Sequence, residues 1–389
     1  MNYLHQCKYR VELIFSLWRN TLILNLIKIV TIFSVIFLAS CNSDNELDLK
    51  SFVEKKLTQF LSDEQAQVVS IAIVSGENSY QQHFGQFPDA TKPSNETIYE
   101  IASITKTYTG LLLAKAITDK KVKLDDDIRV YVGGARYQNL QYSNEPITLR
   151  HLATHRSGLP QDFSFTREDI KNDNAFELIS NYSKAQLFED LSQFQLTSRP
   201  GSEYQYSNVG TTLIGYILEK VYNKPFATLI DEFITRRSGE EHTKLRRTRD
   251  EISEITQGTN GDGKLVPLLS PYSFAEGGLT STTRSISRYM RYLLNSSATE
   301  VTLSQTLLEG SKNWHGHAFF WNTYKYDSIM PKIYHSGGSI GTSSWLALYP
   351  KQRLGIFIVT NIASSNTQGQ LNDIADEIIS KYQEVTGFE

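Results

Sequence analysis

The stretch Tyr99–Gly110, YEIASITKTYTG, sets Ser103 three residues ahead of Lys106, at the front of an apolar run, LLLAKAI. On a helix, residues three apart share a face, with Cβ atoms roughly 5–6 Å apart. A lysine placed there can take or relay the serine proton once burial and neighbouring cations lower its pKa. A helix start adds free backbone N–H groups and a positive dipole end, both favourable to an oxyanion beside the serine. Ser-x-x-Lys is therefore a sensible nucleophile site. Alone it is a weak signal, since roughly one or two chance matches are expected in a chain this rich in Ser and Lys. A helix cap followed by a surface lysine is the plainer alternative.

Two later stretches strengthen the case. RPGSEYQYSNVGTTLIGYILEKVYNKPF places Tyr206-Ser207-Asn208 directly before a helical pattern. A tyrosine serves as general base if cations lower its pKa, and an asparagine can hold a substrate amide. IYHSGGSIGTSSWLALYP places His335-Ser336-Gly337 in an expected edge strand beside a pocket. Ser-x-x-Lys, Tyr-x-Asn and a polar-polar-Gly strand, in that order, resemble the serine β-lactamase and penicillin-binding-protein superfamily. The resemblance is greatest to its class C β-lactamase-like branch, which includes D-alanyl-D-alanine carboxypeptidases and esterases. It covers most of residues 50–389 and is supported by HLATHRSGLP (His151–Pro160), PGSEYQYSN (Pro200–Asn208), AEGGLTSTT (Ala275–Thr283) and LGIFIVTN (Leu354–Asn361).

The resemblance implies Ser103 as nucleophile, with Lys106 as its proton acceptor or tuning residue. Tyr206 is implied as the partner base that also protonates the leaving group, and Asn208 as the substrate-amide ligand. His335 takes the place usually held by Lys or His, with Ser336 and Gly337 completing the substrate-binding strand. The backbone N–H groups of Ser103 and Gly338 would form the oxyanion hole. The implied fold is α/β (α+β): an antiparallel sheet with packed helices plus a helical lobe. No metal and no cofactor is implied.

Competing matches weigh less. Tyr137-Gln138-Asn139 and Tyr142-Ser143-Asn144 both precede HLATHRSGLP without the helix that follows Tyr206. Gly337-Gly338-Ser339-Ile340-Gly341 is formally G-x-S-x-G, but a strand follows it and no histidine lies after His335. His151 and His155 lack the Glu of a zinc helix, and His315 and His317 lie near an expected strand, so structural histidines are expected. His-Ser-Gly also replaces Lys-Thr-Gly. A histidine is mostly neutral near pH 7, so weaker dependence on an anionic substrate group is expected. ELISN (Glu177–Asn181) has the wrong spacing for Glu-x-x-Leu-Asn. Deacylation would then rely on Tyr206, Lys106 or the substrate to activate water.

The elements that must position these residues are legible in outline. SFVEKKLTQFLSDEQ has helical spacing, and VVSIAIVSG (68–76) reads as a buried strand that SYQQHFGQF could join in a hairpin. From about 120 to 265 the pattern is mostly helical, with periodic stretches near 147–156, 174–194 and 209–222. TTRSISRYMRYLLN is an amphipathic helix, SWLALYPKQRLGIFIVTN reads as two strands around a Pro-Lys-Gln-Arg turn, and LNDIADEIISKYQE closes the chain as a helix. The simplest assembly is one sheet built from both ends of the chain, flanked by the terminal helices, with the middle as a second lobe.

The chain has 389 residues, 40% hydrophobic and 21% charged, ordinary for a globular protein with a large core. Residues 1–40 differ: Lys8, Arg10, Arg19 and Lys28 precede the apolar run Ile29–Ala39, which exits through small residues into Cys41. This reads as a secretory signal, and Leu38-Ala39-Ser40-Cys41 resembles the bacterial lipobox, whose cysteine carries lipid. The run is too short to span a bilayer as an uncleaved anchor. The expected organisation is a signal peptide (1–40), a tether (41–50) and one hydrolase domain (51–389), lipid-anchored in a bacterial cell envelope. Only Cys7 and Cys41 are present, which excludes a disulfide framework or a cysteine-based metal site in the mature chain. The net charge of −3 does not suggest nucleic acid. The function expected is a serine hydrolase working through an acyl-enzyme on a small-molecule or peptide substrate. Peptidoglycan-type peptides and small esters come ahead of β-lactams; a non-catalytic lipid-anchored binding protein is the contrasting class.

Overall fold

Three apolar runs, VVSIAIVS, SSWLALY and LGIFIVT, have almost every residue buried, as strands covered on both faces must. In the computed structural model, which describes residues 47–386 apart from 167, 170–173, 312–314 and 326–329, they form the centre of an antiparallel sheet. Its eight strands are β1 (Val68–Ser75), β2 (Asn78–Gly85), β3 (Glu309–Gly310), β4 (His315–His317), β5 (Asn322–Tyr324), β6 (Lys332–Gly338), β7 (Ser343–Tyr349) and β8 (Leu354–Thr360), in the order β2-β1-β8-β7-β6-β5-β4-β3. The hairpin β1–β2 pairs Val68 with Gly85, and β1 also pairs with β8, Val69 opposite Thr360. The sheet is thus built from both ends of the chain, as the sequence pattern predicts. The turn between β7 and β8 is a single 3₁₀ turn, Pro350–Gln352, closed by Arg353 in a left-handed conformation.

Five helices matter for the site: α1 (47–64), α2 (Thr105–Thr118), α3 (Asn208–Tyr222), α4 (Thr283–Asn295) and α5 (Thr367–Thr386). On α4, Ile286, Tyr289, Met290 and Leu293 recur at helical spacing, all buried, and the helix packs on β1 and β8. Leu57 and Phe60 of α1 and Leu371 and Ala375 of α5 are buried too. Helix α2 is different: Thr105 through Ala114 are all buried, so it runs through the interior with no solvent face in its first ten residues. It can lie this close to its neighbours partly because Gly110 has no side chain; a Cβ there would sit 2.2 Å from the Phe319 carbonyl oxygen. Tyr108 stacks on Tyr289 of α4, ring centroids 3.9 Å apart.

The region expected as a helical lobe holds the helices Leu149–Ala153, Ala175–Ser180, Lys184–Gln193 and α3, with long connections. The described residues divide into two units, one within 56–377 and a smaller one of 47–55 with 378–386. In the smaller unit Lys381 pairs with Asp48 at 2.7 Å.

Two expectations need correction. Helix α1 already begins at residue 47, inside the stretch read as a tether; the rest of that stretch, Cys41 and the signal segment lie outside the described residues. Strand β6 is not the edge of the sheet, because β5, β4 and β3 continue beyond it. Those strands are two or three residues long, too short to leave a periodic signal. Yet β5 pairs with β6 only at Lys332–Tyr334, so His335–Gly338 has β7 on one side and, among the described residues, no strand on the other.

Candidate active site

The chain reaches Ser103 through the two-residue strand Tyr99–Glu100 and a 3₁₀ turn, Ala102–Ile104, that leads into α2. Ala102 has φ +45°, a conformation that disfavours a Cβ, and it aims the next residue out of the turn. Ser103 therefore sits one turn ahead of the regular α-helix, rather than within it. Strand β6 packs directly against this turn. A Cβ on Gly337 would lie 2.3 Å from the Ile101 carbonyl oxygen and 2.2 Å from Ser344 Oγ, so glycine is what permits the approach.

The three groups expected to meet do meet. Lys106 Nζ lies 3.0 Å from Ser103 Oγ and donates to the Glu276 carbonyl at 2.7 Å. Tyr206 Oη donates to Ser103 Oγ at 2.7 Å, and Lys106 Nζ is 4.9 Å from the centre of its ring. The segment Ala275–Leu279 clamps α2 to this position. Thr109 Oγ1 donates to the Ala275 carbonyl at 2.7 Å, and the Leu279 N–H donates to Thr105 Oγ1 at 3.1 Å.

Burial sets the protonation states. It lowers Lys106 from 10.5 to about 8, even though the carboxylates of Glu276 and Asp162 pull the other way. About one lysine in ten is then a neutral amine at pH 7. Burial also pushes the Tyr206 phenol well above its ordinary value, and nearby carboxylates add to that, while the bond to Ser103 opposes it. No cation overcomes the burial, so the resting group is a phenol that donates to Ser103. The amine of Lys106, when neutral, is a proton acceptor 3.0 Å from Ser103 Oγ.

The other residues singled out line one cavity of about 1540 Å³ or support it: Asn208, His335, Ser336 and Gly338 line it together with Ser103 and Tyr206, and Gly337 packs behind them. His335 is 3% exposed, and its Nδ1 is 2.6 Å from the Ser336 carbonyl. A carbonyl only accepts, so Nδ1 carries the proton and Nε2 is a buried acceptor with no partner among the described residues. Burial, reinforced by the Lys106 charge, holds His335 down to about 3, so the ring is neutral.

Two contributors, Asp162 and Glu276, escaped the sequence reading, and a third, His155, has the structural role expected of it. Asp162, two residues beyond HLATHRSGLP, accepts from Asn208 Nδ2 at 2.8 Å, and burial raises it to about 7. Glu276 accepts from Thr212 Oγ1 and from the Phe274 N–H, each at 2.8 Å, while its carbonyl holds Lys106. His155, with φ +54°, supports the tyrosine from behind. Its carbonyl accepts from the Gln205 N–H at 2.7 Å, its Nδ1 accepts from the Ser207 N–H at 3.1 Å, and its ring lies 4.5 Å from that of Tyr206. Asp162 and His155 become visible only when 155–162 folds against 204–208.

The competing matches have other work. Tyr137 and Asn139 bond carbonyls of Phe188, Leu191 and Phe194 in the helical region, and Tyr142 is exposed. Ser339 closes the β6–β7 turn and donates to Glu100 Oε2 at 2.7 Å. His151 completes a capping box with Thr148.

Residues 53–380 match the beta-lactamase family. Among curated proteins, the chain is 26% identical to protein flp of Staphylococcus aureus strain N315 over 303 residues, which is 74% of this chain and 58% of flp. It is 26% identical over 338 residues to the D-alanyl-D-alanine-carboxypeptidase/endopeptidase AmpH of Escherichia coli K12, 80% of this chain and 84% of AmpH. The chain thus spans little more than half the length of flp. In three dimensions it resembles a beta-lactamase/D-alanine carboxypeptidase from Yersinia pestis, with a TM-score of 0.74, 21% identity, and coverage of 88% of this chain and 99% of that one. A class C beta-lactamase gives a TM-score of 0.73 at 19% identity, with 86% and 98% covered. The sheet built from both chain ends and the match over 53–380 lead to one conclusion: the chain belongs to the beta-lactamase family.

Proposed function

We propose that this protein is a serine hydrolase that opens an amide or ester carbonyl through an acyl-enzyme on Ser103. The observation that carries this reading is the convergence of Lys106 Nζ and Tyr206 Oη on Ser103 Oγ, at 3.0 and 2.7 Å. The neutral amine of Lys106 takes the Oγ proton as Oγ bonds to the substrate carbon. The carbonyl oxygen becomes an oxyanion facing the backbone N–H groups of Ser103 and Gly338. The C–N or C–O bond then breaks, and the leaving group receives a proton from Tyr206, which is replenished from Lys106. Water repeats the sequence in reverse, giving its proton to the Lys106–Tyr206 pair and releasing Ser103 and the acid.

Within this class, peptides of the D,D-peptidase type and small esters rank above β-lactams, because a neutral His335 offers no fixed cation to a substrate carboxylate. Similarity to AmpH is in keeping with the peptidase branch. The protein is placed in the cell envelope through lipid on Cys41, on the strength of the basic–apolar–small pattern of residues 8–41. No helix among the described residues is long and apolar enough to cross a membrane.

The test is covalent labelling with a fluorophosphonate and a fluorescent penicillin, on wild type and Ser103→Ala. Label on the wild type that disappears in S103A is the expected result. A folded wild type that takes neither label refutes the hydrolase. A panel of D-Ala-D-Ala peptides, nitrophenyl esters and a chromogenic cephalosporin then ranks the substrates.

A further inference from the structure

We propose that Glu100 is a positioning residue: its buried carboxylate ties the Ser103 turn to the β6–β7 turn and so sets the spacing between the backbone N–H groups of Ser103 and Gly338. This rests on the hydrolase reading above, in which those two groups receive the oxyanion. Glu100 stands three residues ahead of Ser103, in the strand Tyr99–Glu100, and is 1% exposed. That strand is itself held: Glu100 pairs with Thr280, and the Ile101 N–H donates to the Leu279 carbonyl at 3.2 Å.

The first observation is how the carboxylate is bonded. Oε1 accepts from the Ser270 N–H at 2.6 Å, and Oε2 accepts from Ser339 Oγ at 2.7 Å. Neither donor can be reversed. One is a backbone N–H. The other, Ser339 Oγ, already accepts from the N–H groups of Gly341 at 3.2 Å and Thr342 at 3.1 Å, which uses both its lone pairs. Its single proton therefore goes to Glu100. The position calls for two adjacent acceptors, which an ionised carboxylate supplies and a carboxamide does not. Burial pushes the Glu100 pKa up, and the bonds from Ser270 and Ser339 oppose this. A carboxylate so deep is tolerated only when both oxygens are bonded, and its charge strengthens both bonds.

The second observation is where this bond falls along the chain. Gly337 is fixed to the same turn by a separate contact: a Cβ on it would lie 2.3 Å from the Ile101 carbonyl oxygen, to which Ser344 Oγ donates at 3.4 Å. Gly338 thus has an anchored residue on either side, Gly337 against Ile101 and Ser339 against Glu100. Glu100 and Ile101 are consecutive residues of the segment that delivers Ser103. One anchor would let the end of β6 pivot; two fix it. The support matters because β5 pairs with β6 only as far as Tyr334. The G-x-S-x-G match at Gly337–Gly341 finds a role here, since its serine fixes the residue before it. Oxyanion donors act only when placed within hydrogen-bond reach of the developing charge, and a misplacement of about 1 Å costs about 10²-fold in rate.

The test measures rate constants for labelling of Ser103 in the full chain by a fluorophosphonate and by its P=S analogue, whose sulfur gains far less from N–H donors than the P=O oxygen does. Glu100→Gln and Ser339→Ala should each slow the P=O probe by about 10–100-fold and the P=S probe much less, so that the P=O to P=S ratio falls about tenfold or more. Ser339→Thr keeps the hydroxyl and should restore the ratio. The double variant E100Q/S339A should lose no more than the worse single one, because both remove one bond. A ratio that stays at the wild-type value overturns the proposal, whether both probes slow equally, as a general loosening of the fold would make them, or neither slows. Should E100Q fail to fold, S339A and S339T decide alone. Wild type that labels with an unchanged ratio in the variants sinks the role of Glu100 and spares the hydrolase; folded wild type that takes neither probe sinks the hydrolase and this role with it.

Discussion

The sharpest consequence of the buried lysine concerns pH. Lys106 acts as a base only when neutral, and burial brings it to about 8. The neutral fraction is then about 1% at pH 6, about 10% at pH 7 and about half at pH 8. The rate constant for fluorophosphonate labelling of Ser103 should rise about fifty-fold between pH 6 and pH 8 and level off above pH 9. His335 and Tyr206 do not interfere, because burial moves one below this window and the other above it. The perturbation is Asp162→Asn. Asp162, raised by burial to about 7, is an anion above that pH and there raises Lys106, so its removal lowers the lysine further and must slide the alkaline part of the profile toward acid. Stopped-flow or gel-quenched labelling across pH 5.5–9.5 on both proteins measures this. A wild-type rate that is flat from pH 6 to 8, or a D162N profile displaced toward alkali, would refute the assignment of Lys106 as first proton acceptor.

Other outcomes follow from the same geometry. Lys106→Met should abolish labelling yet stabilise the fold at pH 7. Holding the ammonium at about 8 instead of 10.5 costs about 3 kcal/mol net of its contacts. The unfolded chain holds the extra proton between pH 8 and 10.5, so wild-type stability should climb across that window more steeply than that of K106M, as urea melts will show. Tyr206→Phe removes the donor on Ser103 Oγ and should lower kcat/KM for a nitrophenyl ester by about 10²-fold, with the circular dichroism spectrum unchanged. Gly337→Ala forces a methyl group against the Ile101 carbonyl and Ser344 Oγ; a loss of about 1–3 kcal/mol in a thermal melt, together with loss of turnover, is expected.

Much of this site was legible because its parts are local in sequence. Ser103 and Lys106 are three apart, Tyr206 opens a helix, and His335 lies in a run of β-branched and small residues beside two apolar strands. The strands β1, β7 and β8 announced themselves as continuous apolar runs because they are buried on both faces. What stayed hidden depends on tertiary contact. The tyrosine could be imagined as an ionised base on motif grounds, but burial without a compensating cation leaves it a donor. Asp162 had no pattern to mark it, since its effect is to rotate an amide 46 residues away. The short strands β3–β5 carry no periodicity, so β6 looked like an edge. Ser103 lies at the helix start, as expected, but in a 3₁₀ turn set by the left-handed Ala102, and alanine gives no warning of a positive φ.

The pairing of Val69 with Thr360 has a bearing on how the protein comes into being. Strand β1 emerges early from the ribosome, yet its inner neighbour, β8, is among the last segments made. Until then β1 has only the hairpin partner β2, and one backbone edge stays open to mispairing. Ser103 is synthesised some two hundred residues before β6, the strand that packs against its turn, so its surroundings are completed only late in synthesis. A nascent or C-terminally clipped chain would carry Ser103 without the strand that packs against it.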